Sequence, residues 1–218
     1  MARFSNDVDV LKYEPALFGE LHLPTQVQAS GTGAVLSGTT LTATGANFLA
    51  AGIEAGGVVS LRSADGSLDG ACEIVSVDSA TQLTVSVLRA DAYGPAIAPP
   101  VGGAVSYRIS TLAPQAVEAA FRLTEHFGIR PGNPASEIAV EDLTDTEGLR
   151  RTSALAVIAQ VYAMWANSSQ GDHLRQKSTH YQKLFEQARQ RCRLTVDLGA
   201  DGVADVRRVG GVVRLVRD

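Results

Sequence analysis

A chain of 218 residues is long enough for one large domain or two small ones. Its 45% hydrophobic and 19% charged content is that of an ordinary globular protein rather than a disordered one. A net charge of −4 argues against a general nucleic-acid coat, which needs a basic surface. The longest apolar helical run, ALAVIAQVYAMW at 154–165, is too short to span a bilayer. The opening MARFSNDVDV carries no apolar signal segment, so the protein is expected to be intracellular when made.

Residues 1–24 hold VDVLKYEPALFGELHLP, a short helical pattern with Val10, Leu11, Leu17 and Phe18 apolar, in which Pro15 should break or kink the helix after Glu14. From about Thr25 to Arg108 the texture changes to Gly, Ala, Ser, Thr and Val with few charges. TTLTAT (39–44), GVVSLRS (57–63), EIVSV (73–77), TQLTVSVL (81–88) and AVSYRI (104–109) are short β-like runs. In TQLTVSVL, Leu83, Val85 and Val87 alternate with Thr84 and Ser86, as in a half-buried strand. SG at 37–38, DG at 65–66 and DSAT at 78–81 separate the runs at hairpin spacing. A small barrel or sandwich is expected, with GPAIAPPVGG (94–103) as a surface loop before its last strand.

After Ser110 the helical texture returns. Pro114 stands near a helix start, and Ala116, Val117, Ala120, Phe121, Leu123 and Phe127 follow at helical spacing. GIRPGNPAS (128–136) is a loop. EGLRRTSALAVIAQVYAMWANSS (147–169) predicts a long helix with Leu149, Leu155, Ile158, Tyr162 and Trp165 along a face. Asp172 is a candidate N-cap for a further helix, HLRQKSTHYQKLFEQARQRCRLTV, packed antiparallel on the one before it. The expected class is α+β. A helical body (short N-terminal helix plus antiparallel helical hairpin, 1–24 and 110–206) carries an inserted small all-β barrel or sandwich (25–109) and an extended C-terminal arm (207–218). The N-terminal helix should pack on the later helices, because so short a helix is unstable alone.

Few residues suggest chemistry. TVDLGADGVADVRR (195–208) spaces Asp197, Asp201 and Asp205 like a calcium loop. Counted from Asp197 against an EF-type loop, Gly199 occupies the third position and Arg208 the twelfth, where the bidentate acid belongs. The competing reading is that Asp and Gly supply the turn geometry that ends a helix and reverses the chain. His173 and His180 lie two helical turns apart, too far to share an ion, and His22 and His126 have no ligand partners at zinc spacing. His126 falls at a helix end, where a cation is favoured. Cys72 and Cys192 are best placed as buried free thiols, although arginines around Cys192 could activate it. GTGAVLSG (31–38) leads into a strand and so lacks the helix N-terminus of a phosphate cradle. No enzyme and no cofactor are expected.

The basic C-terminal stretch stands out. From Arg189 to Asp218 seven Arg face four Asp, a net of +3, leaving −7 on the rest of the chain. The segment with Arg207, Arg208, Val212, Val213, Arg214, Leu215, Val216 and Arg217 alternates β-branched and charged residues around a diglycine. Such a segment suits adding a strand to a partner's sheet or lying in a groove.

NDVDVLKYEPALF at the start, and HYQKLFEQARQRCRLTVDLGADGVAD followed by VVRLVR at the end, resemble head-to-tail connector (adaptor) proteins of tailed bacteriophages and related gene-transfer particles. The resemblance covers 1–24 and 110–218. It implies a structural virion protein at the neck, assembled in the bacterial cytoplasm. Such a protein forms a homo-oligomeric ring, usually dodecameric, between the capsid portal protein and a stopper or tail-terminator protein. DNA passes through the channel without specific binding, and no membrane is involved. The segment from Arg207 to Asp218 would be the arm that engages the portal. Two alternatives are a stopper or tail-completion protein and a calcium-binding surface module using Asp197, Asp201 and Asp205.

Overall fold

The computed structural model describes residues 3–100, 102–129, 138–168, 171–199, 201 and 205–209. The chain is mixed α+β and divides into two compact units, Asn6–Leu112 and a helical unit made of Met1–Ser5 with Ala113–Asp218.

The first unit is a closed six-stranded antiparallel barrel. Its strands are β1 (Val27–Ser37), β2 (Thr40–Thr42), β3 (Val58–Ser63), β4 (Asp69–Val77), β5 (Gln82–Ser86) and β6 (Gly103–Ser110), in the order β1-β2-β5-β4-β3-β6 with β6 closing back on β1. Closure removes the unpaired edges that an open sheet of this size would expose. Alternation fills the interior as expected from the sequence: Leu83 and Val85 are fully buried while Thr84 is only partly so. Leu36, Leu41, Phe48, Leu61, Ile74 and Ile109 complete the middle of this core.

β1 is the longest strand and the one that sequence periodicity does not announce. Its burial pattern is irregular, and its pairing with β6 shifts register between Val27 and Ala29 and again between Gly31 and Ala34. Glycines permit this. A Cβ on Gly31 would stand 2.8 Å from the Tyr107 ring, and Gly33 takes a φ of +72° at the second shift.

The N-terminal segment corrects an expectation. α1 (Asp7–Leu11) falls in the barrel unit, not in the helical body. Asn6 and Asp9 form a reciprocal capping box, each side chain accepting the other's backbone N–H at 3.0 Å. The Val8 N–H donates to the Gly56 carbonyl, and the Asp7 carboxylate accepts the Leu112 N–H at 2.8 Å, joining the two ends of the unit. Arg108 on β6 donates to the Phe18 and Gly19 carbonyls. Polar tethers to the barrel thus hold a helix too short to stand alone. α1 ends at Leu11, before the break expected after Glu14, and Pro15 opens a 3-10 turn, Pro15–Leu17.

The second unit contains α2 (Ala113–His126), α3 (Glu147–Ser168) and α4 (Asp172–Arg191). Every residue from Thr152 to Ile158 is buried, so α3 is the core helix of this unit rather than an amphipathic surface helix. Antiparallel packing of α3 on α4 follows from three contacts. The Thr152 hydroxyl lies 3.1 Å from the Cys192 thiol, Ser178 donates to the Ala159 carbonyl, and the Tyr162 and Tyr181 rings stack at 6.0 Å. Ser5, next to the chain start, meets Ser153 at 2.8 Å within the same unit.

α4 ends earlier than its sequence pattern suggests. Gly171 is its N-cap and Asp172 its first residue, and Cys192 leaves the helix with extended backbone. Arg193–Val196 form β7, which pairs with β8 (Val206–Val209). The β-branched pair Thr195 and Val196 gains more from a ladder than from another helical turn.

Candidate interaction surfaces

The acidic stretch proves to be the loop of a β-hairpin. Thr195 pairs with Arg207 and Leu194 with Arg208, while on the other side of β7 Leu143 bridges to Val196. The three aspartates gather around Gly199, where an added Cβ would sit 3.8 Å from the Asp197 and Asp205 carboxylate oxygens and from Asp201 Cγ. The Asp197 and Asp205 oxygens are engaged by the loop itself. Asp205 Oδ2 accepts the N–H groups of Leu198 (2.8 Å) and Gly199 (3.1 Å), and Asp197 Oδ1 accepts that of Asp201. These side-chain-to-backbone bonds, spanning four to seven residues, fix the loop. Among the described residues no group of three or more His, Cys, Asp or Glu is arranged to hold a metal ion.

The basic arm is divided. Arg207 and Arg208 belong to β8 instead of a free arm, because the hairpin captures their backbone. Val212, Val213, Arg214, Leu215, Val216 and Arg217 lie outside the described residues. β7 is paired on both sides, so β8 forms the outer margin of this small sheet among the described residues.

The other single residues behave structurally. Cys72 is a free thiol inside the barrel, pushed by burial up to about 11, and Cys192 is a free buried thiol at the end of α4. His173 and His180 are both exposed on α4, with the His180 ring edge-on to Tyr181. His126 departs from expectation. Burial first, and then the Arg189 cation, lower its pKa, so the neutral ring is favoured where a helix end alone would favour the cation. Arg122 and Arg189 each place a guanidinium over the buried Phe185 ring, at 5.2 and 5.3 Å.

One feature of the β5–β6 loop escaped sequence reasoning. Arg89 reaches the buried Glu73 carboxylate on β4 and also donates to the Gly94 carbonyl. Asp91 Oδ1 accepts the Tyr93 N–H at 2.9 Å, and Val87 and Ser86 bind the backbone of Ile97. The braced loop holds Tyr93 99% exposed, with Ile97 and Leu88 also open to solvent. A tyrosine amid Gly and Pro was the one sequence signal available.

Comparison with known proteins returned no matching family model, no matching curated protein and no matching solved structure. Among the described residues no helix is long and apolar enough to cross a membrane.

Proposed function

We propose that the chain is a structural virion protein of the head-to-tail connector type, a ring subunit between the portal and the tail. The observation that carries this reading is the way α4 runs straight into the β7–β8 hairpin, after which the basic VVRLVR segment follows. A hairpin is a firm base from which an extended basic segment can pair with a partner's backbone. The sequence resemblance over 1–24 and 110–218 supports the same assignment. The acidic balance of the chain suits a channel wall that DNA must pass without sticking. In this reading the barrel unit contacts neighbouring neck proteins, and the location is the virion neck.

The closed barrel favours one second reading, a stopper or tail-completion protein, which would bind below the ring rather than at the portal. A calcium-dependent module has less support, since the Asp197 and Asp205 carboxylates already accept loop N–H groups.

Native mass spectrometry with the cognate portal tests the proposal. A truncation after Val209 keeps β8 intact while removing the basic segment. Full-length protein should join the portal as a ring, and the truncated form should not. A full-length chain that ignores the portal would sink the connector reading.

A further inference from the structure

We propose that the outer edge of β8 is a strand-docking edge whose occupant is this chain's own segment 212–215, folded back through Gly210 and Gly211. This pairing is independent of the connector reading, because it needs no second protein.

The edge is defined by β7. Thr195 and Asp197 direct their backbone away from β8: the Thr195 carbonyl accepts the Thr144 N–H, and the Asp197 N–H donates to the Asp142 carbonyl. Backbone direction alternates along a strand, so Leu194 and Val196 are the residues that bond across to β8. The Val196 carbonyl also takes the Asp205 N–H on that side. Leu194 pairs with Arg208 and Val196 with Val206, which leaves Arg207 and Val209 to point their N–H and C=O groups outward. Among the described residues no strand pairs with them. Such an edge invites another strand.

The sequence supplies one of fitting length and register. β8 reads VRRV, two glycines follow, and then VVRLV. Two β-like runs separated by Gly-Gly are a hairpin signal, because a two-residue turn of the right twist needs the positive φ that glycine takes freely. That turn sets Val209 opposite Val212, Arg207 opposite Arg214 and Val206 opposite Leu215. Its closing pair is a hydrogen-bonded one, so it uses the outward groups of Val209 and, two residues on, those of Arg207.

The same register places the side chains correctly. Val213 falls in the row of Leu194, and Leu215 in the row of Val196. Both β7 residues are fully buried, and residues of one row share a face, so the two apolar tail residues arrive on the buried side. Arg214 falls in the row of Thr195 and the exposed Arg207. A slip of one residue would exchange the two sets and turn Arg214 inward. Beyond the paired residues Arg217 reaches the β7–β8 loop, where Asp201 and Asp205 are exposed, and this attraction offsets the repulsion between Arg207 and Arg214.

The test is amide hydrogen exchange of the full-length chain alone, followed by NMR at two protein concentrations. The Arg207 and Arg214 amides should exchange at least about tenfold more slowly than that of Val213, which points away from β8. Truncation after Val209 should release Arg207. Gly211→Pro should release both, whereas Gly210→Asn keeps a turn-forming pair and should release neither. Leu215→Asp should speed exchange, and Arg214→Thr should not. An Arg214 amide as fast as that of Val213 in wild type overturns the proposal. Protection of Arg207 that survives the truncation overturns it too, since another segment then covers the edge. Protection present only at the higher concentration gives the edge to a second copy and overturns the pairing within one chain. None of these outcomes bears on the portal experiment.

Discussion

The Arg89 guanidinium and the Glu73 carboxylate form a buried ion pair in the barrel unit, with Arg89 Nε donating to Glu73 Oε1 across 3.2 Å and both side chains less than a tenth exposed. The carboxylate's hydrogen bond, ahead of its charge, raises the arginine pKa. Desolvating two charges is expensive, and such a pair contributes less to stability than to fixing one geometry for the loop it braces. Glu73→Gln leaves the guanidinium buried without its counter-charge and should destabilise the protein by about 3 kcal/mol. The double replacement Glu73→Leu with Arg89→Met should cost less than that single change. Urea denaturation measures both, and amide exchange at Val87 and Ile97 should accelerate in each variant.

Cys72 should be chemically silent in the folded chain. Only 3% of the residue is exposed, and burial pushes the thiol to about 11, so almost no thiolate forms near neutral pH. A thiol reagent should label it only after denaturation, and mass spectrometry of the labelled peptides reports the difference. Rapid labelling in native buffer would mean that the barrel opens readily.

His126 gives the helical unit an acid-side weakness. Its folded pKa lies below the ordinary value of 6.5, so as pH falls through that value the unfolded chain takes up a proton that the folded chain resists. Stability from this group is complete above neutrality and declines with acidification until pH reaches the folded pKa. His126→Leu should flatten that part of the profile. Denaturation midpoints at about pH 5 and about pH 7.5, on either side of the usual histidine range, compare the two proteins.

Asp205 sets the hairpin loop. Asp205→Ala removes the acceptor for the Leu198 and Gly199 N–H groups, both exposed to water, and should cost about 1 kcal/mol. Asp205→Asn keeps one acceptor oxygen and should cost less. Millimolar calcium should leave the melting temperature of wild type unchanged. A calcium-dependent rise abolished by Asp205→Ala would instead make this a metal loop.

Much of the fold was legible locally. Five of the six barrel strands announce themselves as short β-like runs between turn residues, and α3 and α4 by their length and helical spacing. β1 was hidden because Gly31 and Gly33 interrupt its side-chain pattern at the register shifts. β7 was hidden because RLTV continues the α4 pattern, and only pairing with β8 and with Leu143 makes it a strand. The aspartates were legible as turn formers, while their convergence on Gly199 was not. The Tyr93 loop was invisible as a surface, since its brace joins residues sixteen apart in sequence.

The amino-acid order by itself determined where strands and helices arise, since hydrophobic period, proline and glycine act over a few neighbouring residues. It also determined the separation of a basic C-terminal stretch from a more acidic remainder. Tertiary structure alone decided that the barrel closes, that α1 belongs with the barrel, and that Arg207 and Arg208 are spent in a hairpin. Each of these outcomes depends on backbone groups distant in sequence finding partners, such as Asp7 with Leu112 or Val8 with Gly56, and a local pattern carries no record of such pairings.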